Sequence, residues 1–346
     1  MIKLEKKVIV IFFLLVFILI CCSKQIDKNI NMQNKILCIE DINNVEGLYG
    51  GNFGDIVVYD ADTFERFILT NDKYFDYSPT YSKKYNIIMF ESLRNYQTYT
   101  GLTSQRDLLI LNLNNFNINK FDTDKIFYKV NYLDTTKTYD GKLWANTDNY
   151  MPMFNSLGDK VIFYKYREGI KNIILLFDFN TETFSIVADS LIGHIDYIWS
   201  NCDSLIYYTK DFNRLINNKK PNEIRCYNVY TSKTKSMLKI NNHYFYIYDE
   251  LDKKILVKSY LIGDAIYKIA VFNLKTKNEI FSISTEELGV DEIYSPIFKD
   301  SNNIIFVGQI NKDNYNQYLY NIKLDTKEIK KLSNNGGHKD CLSYIR

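Results

Sequence analysis

Apolar and polar positions along most of the chain alternate in short runs that read as β-hairpins. Five stretches share one layout: "YSPTYSKKYNIIMFES" (77–92), "YMPMFNSLGDKVIFYKY" (150–166), "IDYIWSNCDSLIYYTK" (195–210), "YFYIYDELDKKILVKS" (244–259) and "YSPIFKDSNNIIFVGQ" (294–309). Each predicts a short strand ending in an aromatic, a polar turn, and a second strand rich in β-branched and aromatic residues. Between them lies a second hairpin unit, seen six times: "DIVVYDADTFERFILT", "DLLILNLNNFNINKF", "NIILLFDFNTETFSIV", "EIRCYNVYTSKTKSML", "IYKIAVFNLKTKNEIFSI" and "YLYNIKLDTKEIKKLS". There an apolar strand is followed by a turn of Asp, Asn, Thr or Lys and a further strand.

The two units recur together at a near-constant period. Taking the aromatic as the mark, Phe154 to Trp199 is 45 residues, Trp199 to Tyr248 is 49 and Tyr248 to Phe298 is 50. A four-stranded propeller blade repeats at about 40–50 residues. Tyr81 to Phe154 is longer, at 73, which places an insertion at 122–149. An open β-sandwich leaves this period unexplained. The sixth first-unit hairpin has to be assembled from the ends: "DCLSYI" (340–345) reads as an orphan inner strand and "KILCIE" (35–40) as an orphan second strand. Pairing them predicts an all-β, six-bladed β-propeller over 35–346, four antiparallel strands per blade, with short protected sheet edges.

With strands named a to d from axis to rim, b–c and d–a connections emerge on one face and a–b and c–d turns on the other. The long pieces 92–106, 122–149, 210–221 and 309–315 all fall on the first, the loop face; the other is the turn face. Elaborated loops on a rigid scaffold are where function usually resides. The candidate binding residues of the loop face are Arg94, Tyr96, Tyr99, Arg106, Tyr132, Tyr139, Trp144 and Arg214, with Lys210, Lys219 and Lys220 beside them. Aromatics beside cations suit a peptide or glycan through stacking and charged hydrogen bonds. The plainer reading is that Tyr and Lys are common in this chain and these loops are solvated covers.

The N-terminus adds an address. Lys3, Lys6 and Lys7 precede thirteen apolar residues, Val8–Ile20. That fits the apolar region of a signal peptide and falls short of the roughly 20 residues that span a bilayer as a helix. An uncleaved anchor helix is the alternative. The polar stretch 22–34 that follows reads as a tether.

Composition excludes more than it assigns. Lys and Arg number 43 against 41 Asp and Glu, a net charge of +2, so no global charge argues for nucleic acid. There is no G-x-S-x-G elbow, and the glycine cluster at 50–54 lacks the helix and Lys that would cradle a phosphate. No catalytic residue and no cofactor is expected. His194, His243 and His338 each precede a predicted inner strand and would sit near the channel mouth, but no ligand-spaced motif supports a metal there. Cys38 and Cys341 lie on the two strands that close the ring. In an exported chain they are a candidate disulfide, with buried thiols as the alternative.

Two resemblances sharpen the picture. "LICC" (19–22) resembles the bacterial lipobox, with Cys22 as the lipidated residue and Cys21 where a smaller residue is usual. The resemblance implies cleavage after 21 and acylation at Cys22 by more than one chain, a stable membrane anchor. Ser23 is compatible with outer-membrane sorting. "PTYS", "PMFN" and "PIFK" (79–82, 152–155, 296–299) resemble the front half of the blade consensus of TolB-like, WD-repeat-like propellers, and Leu157-Gly158-Asp159 approximates its turn. That implies an envelope binding or scaffold module with a protein, peptide or glycan partner. The alternative is a propeller lyase or glycosidase-type enzyme using residues at the channel mouth.

Overall fold

The computed structural model describes residues 31–40, 54–71, 76–92, 107–121, 148–167, 170–191, 195–210, 222–240, 243–261, 266–310, 317–333 and 339–345. Strands are numbered in chain order, and each blade is described from axis to rim. Blade 1 is β24 (Lys339–Ile345), β1 (Lys35–Glu40), β2 (Asp55–Asp60) and β3 (Arg66–Ile68). Blade 2 is β4 (Asp76–Ser82), β5 (Ile87–Ser92), β6 (Asp107–Asn112) and β7 (Asn117–Lys120). Blade 3 is β8 (Asp148–Phe154), β9 (Lys160–Arg167), β10 (Ile170–Asp178) and β11 (Thr183–Leu191). Blade 4 is β12 (Tyr197–Trp199), β13 (Leu205–Lys210), β14 (Asn222–Asn228) and β15 (Lys233–Ile240). Blade 5 is β16 (His243–Leu251), β17 (Lys254–Leu261), β18 (Tyr267–Asn273) and β19 (Glu279–Ser284). Blade 6 is β20 (Glu292–Asp300), β21 (Asn303–Gln309), β22 (Gln317–Lys323) and β23 (Ile329–Lys331). The six inner strands touch one another in cyclic order, β24 to β4, β8, β12, β16, β20 and back to β24. All pairings are antiparallel.

The expected closure is present. β1 pairs with β24, Lys35 opposite Ile345 and Glu40 opposite Lys339. Between Leu37↔Ser343 and Ile39↔Asp340 the register slips, so Cys38 faces a two-residue bulge containing Cys341. The Cys38 thiol is fully buried.

Each blade buries both faces, which is why its inner strands read as continuous apolar runs. Ile36, Cys38 and Val57 pack toward blade 6 with Ile305 and Leu319, while Leu37, Ile39 and Ile56 pack toward blade 2 with Ile88 and Phe90. The remaining seams are filled the same way. The rim strands are edges, and they carry charge against unwanted pairing: Lys233, Lys235 and Lys239 of β15 are exposed.

Local rules set the turns. Five of the six c–d turns open with Asp60, Asn112, Asp178, Asn228 and Asn273, whose side chains accept from backbone N–H groups two or three residues on. Four residues after each opener the chain turns left-handed, at Phe64, Phe116, Glu182, Ser232 and Lys277. A side-chain-capped turn ending in one left-handed residue closes a tight hairpin. The inner strands obey a different constraint. Pro79, Pro152 and Pro296 cannot donate to the ladder, and the register breaks at each. The preceding Ser78, Met151 and Ser295 take φ of 48°, 52° and 44°. Such bulges are tolerated because an inner strand has an unpaired edge toward the axis.

Neighbouring blades are stitched by side chains that cap backbone groups across the seams. Asp203 of blade 4 accepts from Ser156 N (2.8 Å), Ser156 Oγ (2.6 Å) and Leu157 N (3.1 Å) of blade 3. Glu250 of blade 5 accepts from Asn201 N of blade 4, and Asp249 from Phe298 N of blade 6. Lys299 of blade 6 donates to the Ala61 carbonyl of blade 1. A short helix, α1 (Thr285–Leu288), links blades 5 and 6, capped by a Ser284–Glu287 capping box.

Candidate functional site

The described a–b and c–d turns run to five residues at most, and every longer connection leaves the ring on the loop face. Arg94, Tyr96, Tyr99 and Arg106 lie between Ser92 and Asp107, the last pair of the β5–β6 ladder. Tyr132, Tyr139 and Trp144 lie between blades 2 and 3, and Arg214, Lys219 and Lys220 between β13 and β14. All of these fall outside the described residues, as do His194, His338 and Cys22. His243 opens β16 opposite Leu261. Among the described residues, no group of three or more His, Cys, Asp or Glu is arranged to hold a metal ion.

What the structure describes is the floor beneath those loops, and its chemistry divides the ring. Blades 1 and 2 bury carboxylates at the strand ends that face the loops. Glu40, at the end of β1, accepts from Tyr59 Oη (2.7 Å) and Arg66 (3.3 Å). Asp76, opening β4, accepts from Thr70 Oγ1 at 3.0 Å. Glu91 reaches across the seam to the Met151 N–H at 2.5 Å, and Tyr197 of blade 4 donates to the Met151 carbonyl at 2.6 Å. The bulged inner strand of blade 3 is thus held from both sides. Burial, followed by the nearby Glu91 charge, raises the Tyr197 phenol well above its usual value and keeps it a donor. On the outer side of blade 4, Glu223 pairs with Arg225 at 3.3 Å.

Blades 5 and 6 add a buried cation set among phenols. Lys258, on β17, is 8% exposed and donates to the Ile293 carbonyl of blade 6 at 2.6 Å. Its ammonium lies 4.2 Å from the Tyr267 ring centroid and 5.3 Å from that of Tyr294. Tyr260 packs edge-on against Tyr267 and stacks with Tyr246. Burial, then the neighbouring Tyr260, pushes the Tyr246 phenol up to about 12. Tyr294 hydrogen-bonds Glu292 and Gln309. These phenols gather around one buried cation at the blade 5–6 seam, where the ammonium ties the two blades together and the rings offer faces for stacking.

Reasoning from the long loops misses the Lys258 cluster, because its members sit inside strands. A signal existed: Lys258 interrupts the apolar run "KILVKSYL" (254–261), and a charged residue in a doubly buried strand needs partners.

No protein-family profile matches the sequence, and no curated protein matches it. Solved structures do resemble the fold. TolB from Acinetobacter baumannii superposes with a TM-score of 0.62 at 14% identity, over 90% of this chain and 66% of that one. A putative TolB from Agrobacterium tumefaciens gives 0.56 at 11% identity, over 89% and 91%. An oligogalacturonate lyase in complex with manganese gives 0.53 at 11% identity, over 87% and 74%. The chain spans just under two thirds of the Acinetobacter protein's length. At these identities the likeness carries architecture alone, and that architecture is the TolB-type six-bladed propeller.

Proposed function

We propose that this chain is a lipid-anchored envelope protein, acylated at Cys22 and sorted to the outer membrane. It acts as a binding or scaffold module that takes a protein, peptide or glycan on its loop face. The observation that carries the reading is the one-sided elaboration of a stitched ring: long connections leave one face only, above a floor with an acidic sector and an aromatic–cationic sector. A polymer with ring faces meets the phenols around Lys258, and its cationic or donor groups meet the other sector.

The test is capture from native membranes with the mature protein, repeated with 122–149 shortened and with Lys258→Met. Loss of a specific partner in both variants, with folding intact by circular dichroism, supports the reading. Capture unchanged in both refutes the loop face as the site.

A second reading, a lyase or glycosidase-type enzyme at the channel mouth, is favoured by the fold shared with the oligogalacturonate lyase. Stoichiometric metal, with turnover lost on alanine substitution of His194, His243 and His338, would select it.

A further inference from the structure

The chain enters the ring on the turn face, opposite the long connections. β1 is a second strand and begins at the turn face, where Lys35 pairs with Ile345. The residues just before it are fixed there. Met32 is 2% exposed and packs in the blade 1–2 seam with Leu37, Ile39 and Leu113. Asn34 donates from its backbone to the Ile345 carbonyl (3.0 Å) and accepts from Ala61 N (3.1 Å). Its side chain donates to Asp62 at 2.6 Å. The attachment point is therefore Met32, a defined place on the ring.

From Met32 to Cys22 there are ten peptide steps. Fully extended they reach about 35 Å, and as a flexible coil they average roughly 17 Å. A compact body of about 310 residues has a radius of gyration near 20 Å and is therefore about 50 Å across. Blade strands of up to nine residues, at about 3.3 Å each, make the ring roughly 30 Å deep. At its average length the tether therefore holds Cys22 on the turn-face side, and only a fully stretched one would bring it level with the loop face.

We infer that the turn face is the side presented to the membrane surface and that the loop face points away from it. The inference rests on acylation at Cys22. Charge on the turn face is mixed, with exposed Lys83, Lys84, Lys275 and Lys277 set against Asp62, Asp252 and Asp325, so the tether rather than electrostatic attraction sets the orientation. Leu157 and Tyr230, 65% and 77% exposed on that face, suit an interfacial setting. Any partner on the loop face then approaches from the aqueous side.

The test uses the full-length protein purified with its acyl chains and placed in phosphatidylethanolamine–phosphatidylglycerol vesicles carrying a headgroup energy-transfer acceptor. A donor dye goes on Cys202, an exposed thiol in the β12–β13 turn, or on Ile310→Cys at the loop-face end of β21 in a Cys202→Ser background. Peptide mass analysis verifies the dye position and the mass on Cys22. Acylated protein with transfer several-fold stronger from Cys202 supports the inference. Acylated protein with equal or stronger transfer from position 310 overturns the orientation and leaves the anchor standing. A Cys22 without acyl chains overturns the anchor and the orientation with it.

Discussion

Removing the Asp203 carboxylate tests whether the blades are held by local stitching as well as by their apolar seams. Asp203 sits in the β12–β13 turn, 8% exposed, and accepts three hydrogen bonds from one turn of the adjacent blade. Hydrogen bonds to a charged acceptor contribute roughly 1.5–3 kcal/mol each. Ser156 and Leu157 are exposed, so water recovers much of each lost bond in Asp203→Ala, while the left-handed φ of 54° suits Ala less than Asp. Together the net expectation is a loss of about 2–3 kcal/mol. Asp203→Asn keeps one acceptor oxygen and should lose about half as much. The assay is urea unfolding of the mature protein, with the midpoint converted through a slope of about 3 kcal/mol per M, so Asp203→Ala should move it by about 0.7–1 M. A double-mutant cycle with Ser156→Ala should show a coupling of about 1 kcal/mol, since that variant removes only the hydroxyl bond. An Asp203→Ala midpoint within about 0.5 kcal/mol of wild type, with no coupling to Ser156, would refute the stitching argument.

Four further outcomes follow from other parts of the ring. Gly158→Ala should cost about 2–3 kcal/mol in the same assay: φ is +72°, and a Cβ would meet Ser82 Oγ at 2.7 Å and Lys83 N at 2.8 Å. A neutral Gly158→Ala would mean the turn relaxes freely. Asp60 is held far below the usual carboxylate range, first by Lys35 and then by the Thr63 and Asp62 N–H groups. A lowered folded value means its contribution is present above the unfolded value of about 3.9 and is lost as pH falls through and below it. The wild-type midpoint should therefore drop below about pH 4 more steeply than that of Asp60→Asn, and parallel curves would contradict this. For Cys202, burial pushes the thiol up, but hydrogen bonds with Ser200 and Ser204 outweigh it and bring it below the ordinary value, whereas burial pushes Cys226 up to about 11. Iodoacetamide at pH 7 should alkylate Cys202 and spare Cys226 until the protein unfolds, as read by peptide mass spectrometry; equal rates would be evidence against the assigned burial. The same digest without reduction, alkylated after unfolding, checks the candidate Cys38–Cys341 bond, where a linked peptide pair supports it and two alkylated thiols select the buried-thiol alternative.

The architecture was legible because its determinants are local and repeated. "KILCIE" is β1 residue for residue, and "DCLSYI" is β24 less its first residue. The aromatics Tyr81, Phe154, Trp199, Tyr248 and Phe298 all fall within inner strands, as their spacing required. The bulges at Ser78, Met151 and Ser295 are foreshadowed by the prolines that follow them, yet their left-handed φ emerges only once the strand is placed at the axis. Helix α1 has a signature, Ser284 with Glu287 three residues on, but it lies at the seam between two hairpin units, where the strand pattern masks it. Asp203 and Lys258 could not be assigned from sequence. Their roles depend on Ser156 and on Ile293, which lie 47 and 35 residues away and become neighbours only when the blades pack. Of the candidate site, sidedness was legible and the floor was not, because its residues belong to strands.

The most direct test of the account is site-specific photo-crosslinking in intact cells. A photoreactive phenylalanine analogue replaces Tyr99 or Trp144 in the loop-face connections, or Leu157 or Tyr230 on the turn face. Discrete adducts with one polymeric partner from positions 99 and 144, and lipid adducts or none from 157 and 230, are what the account predicts. Partner adducts from positions 157 and 230 alone would contradict it.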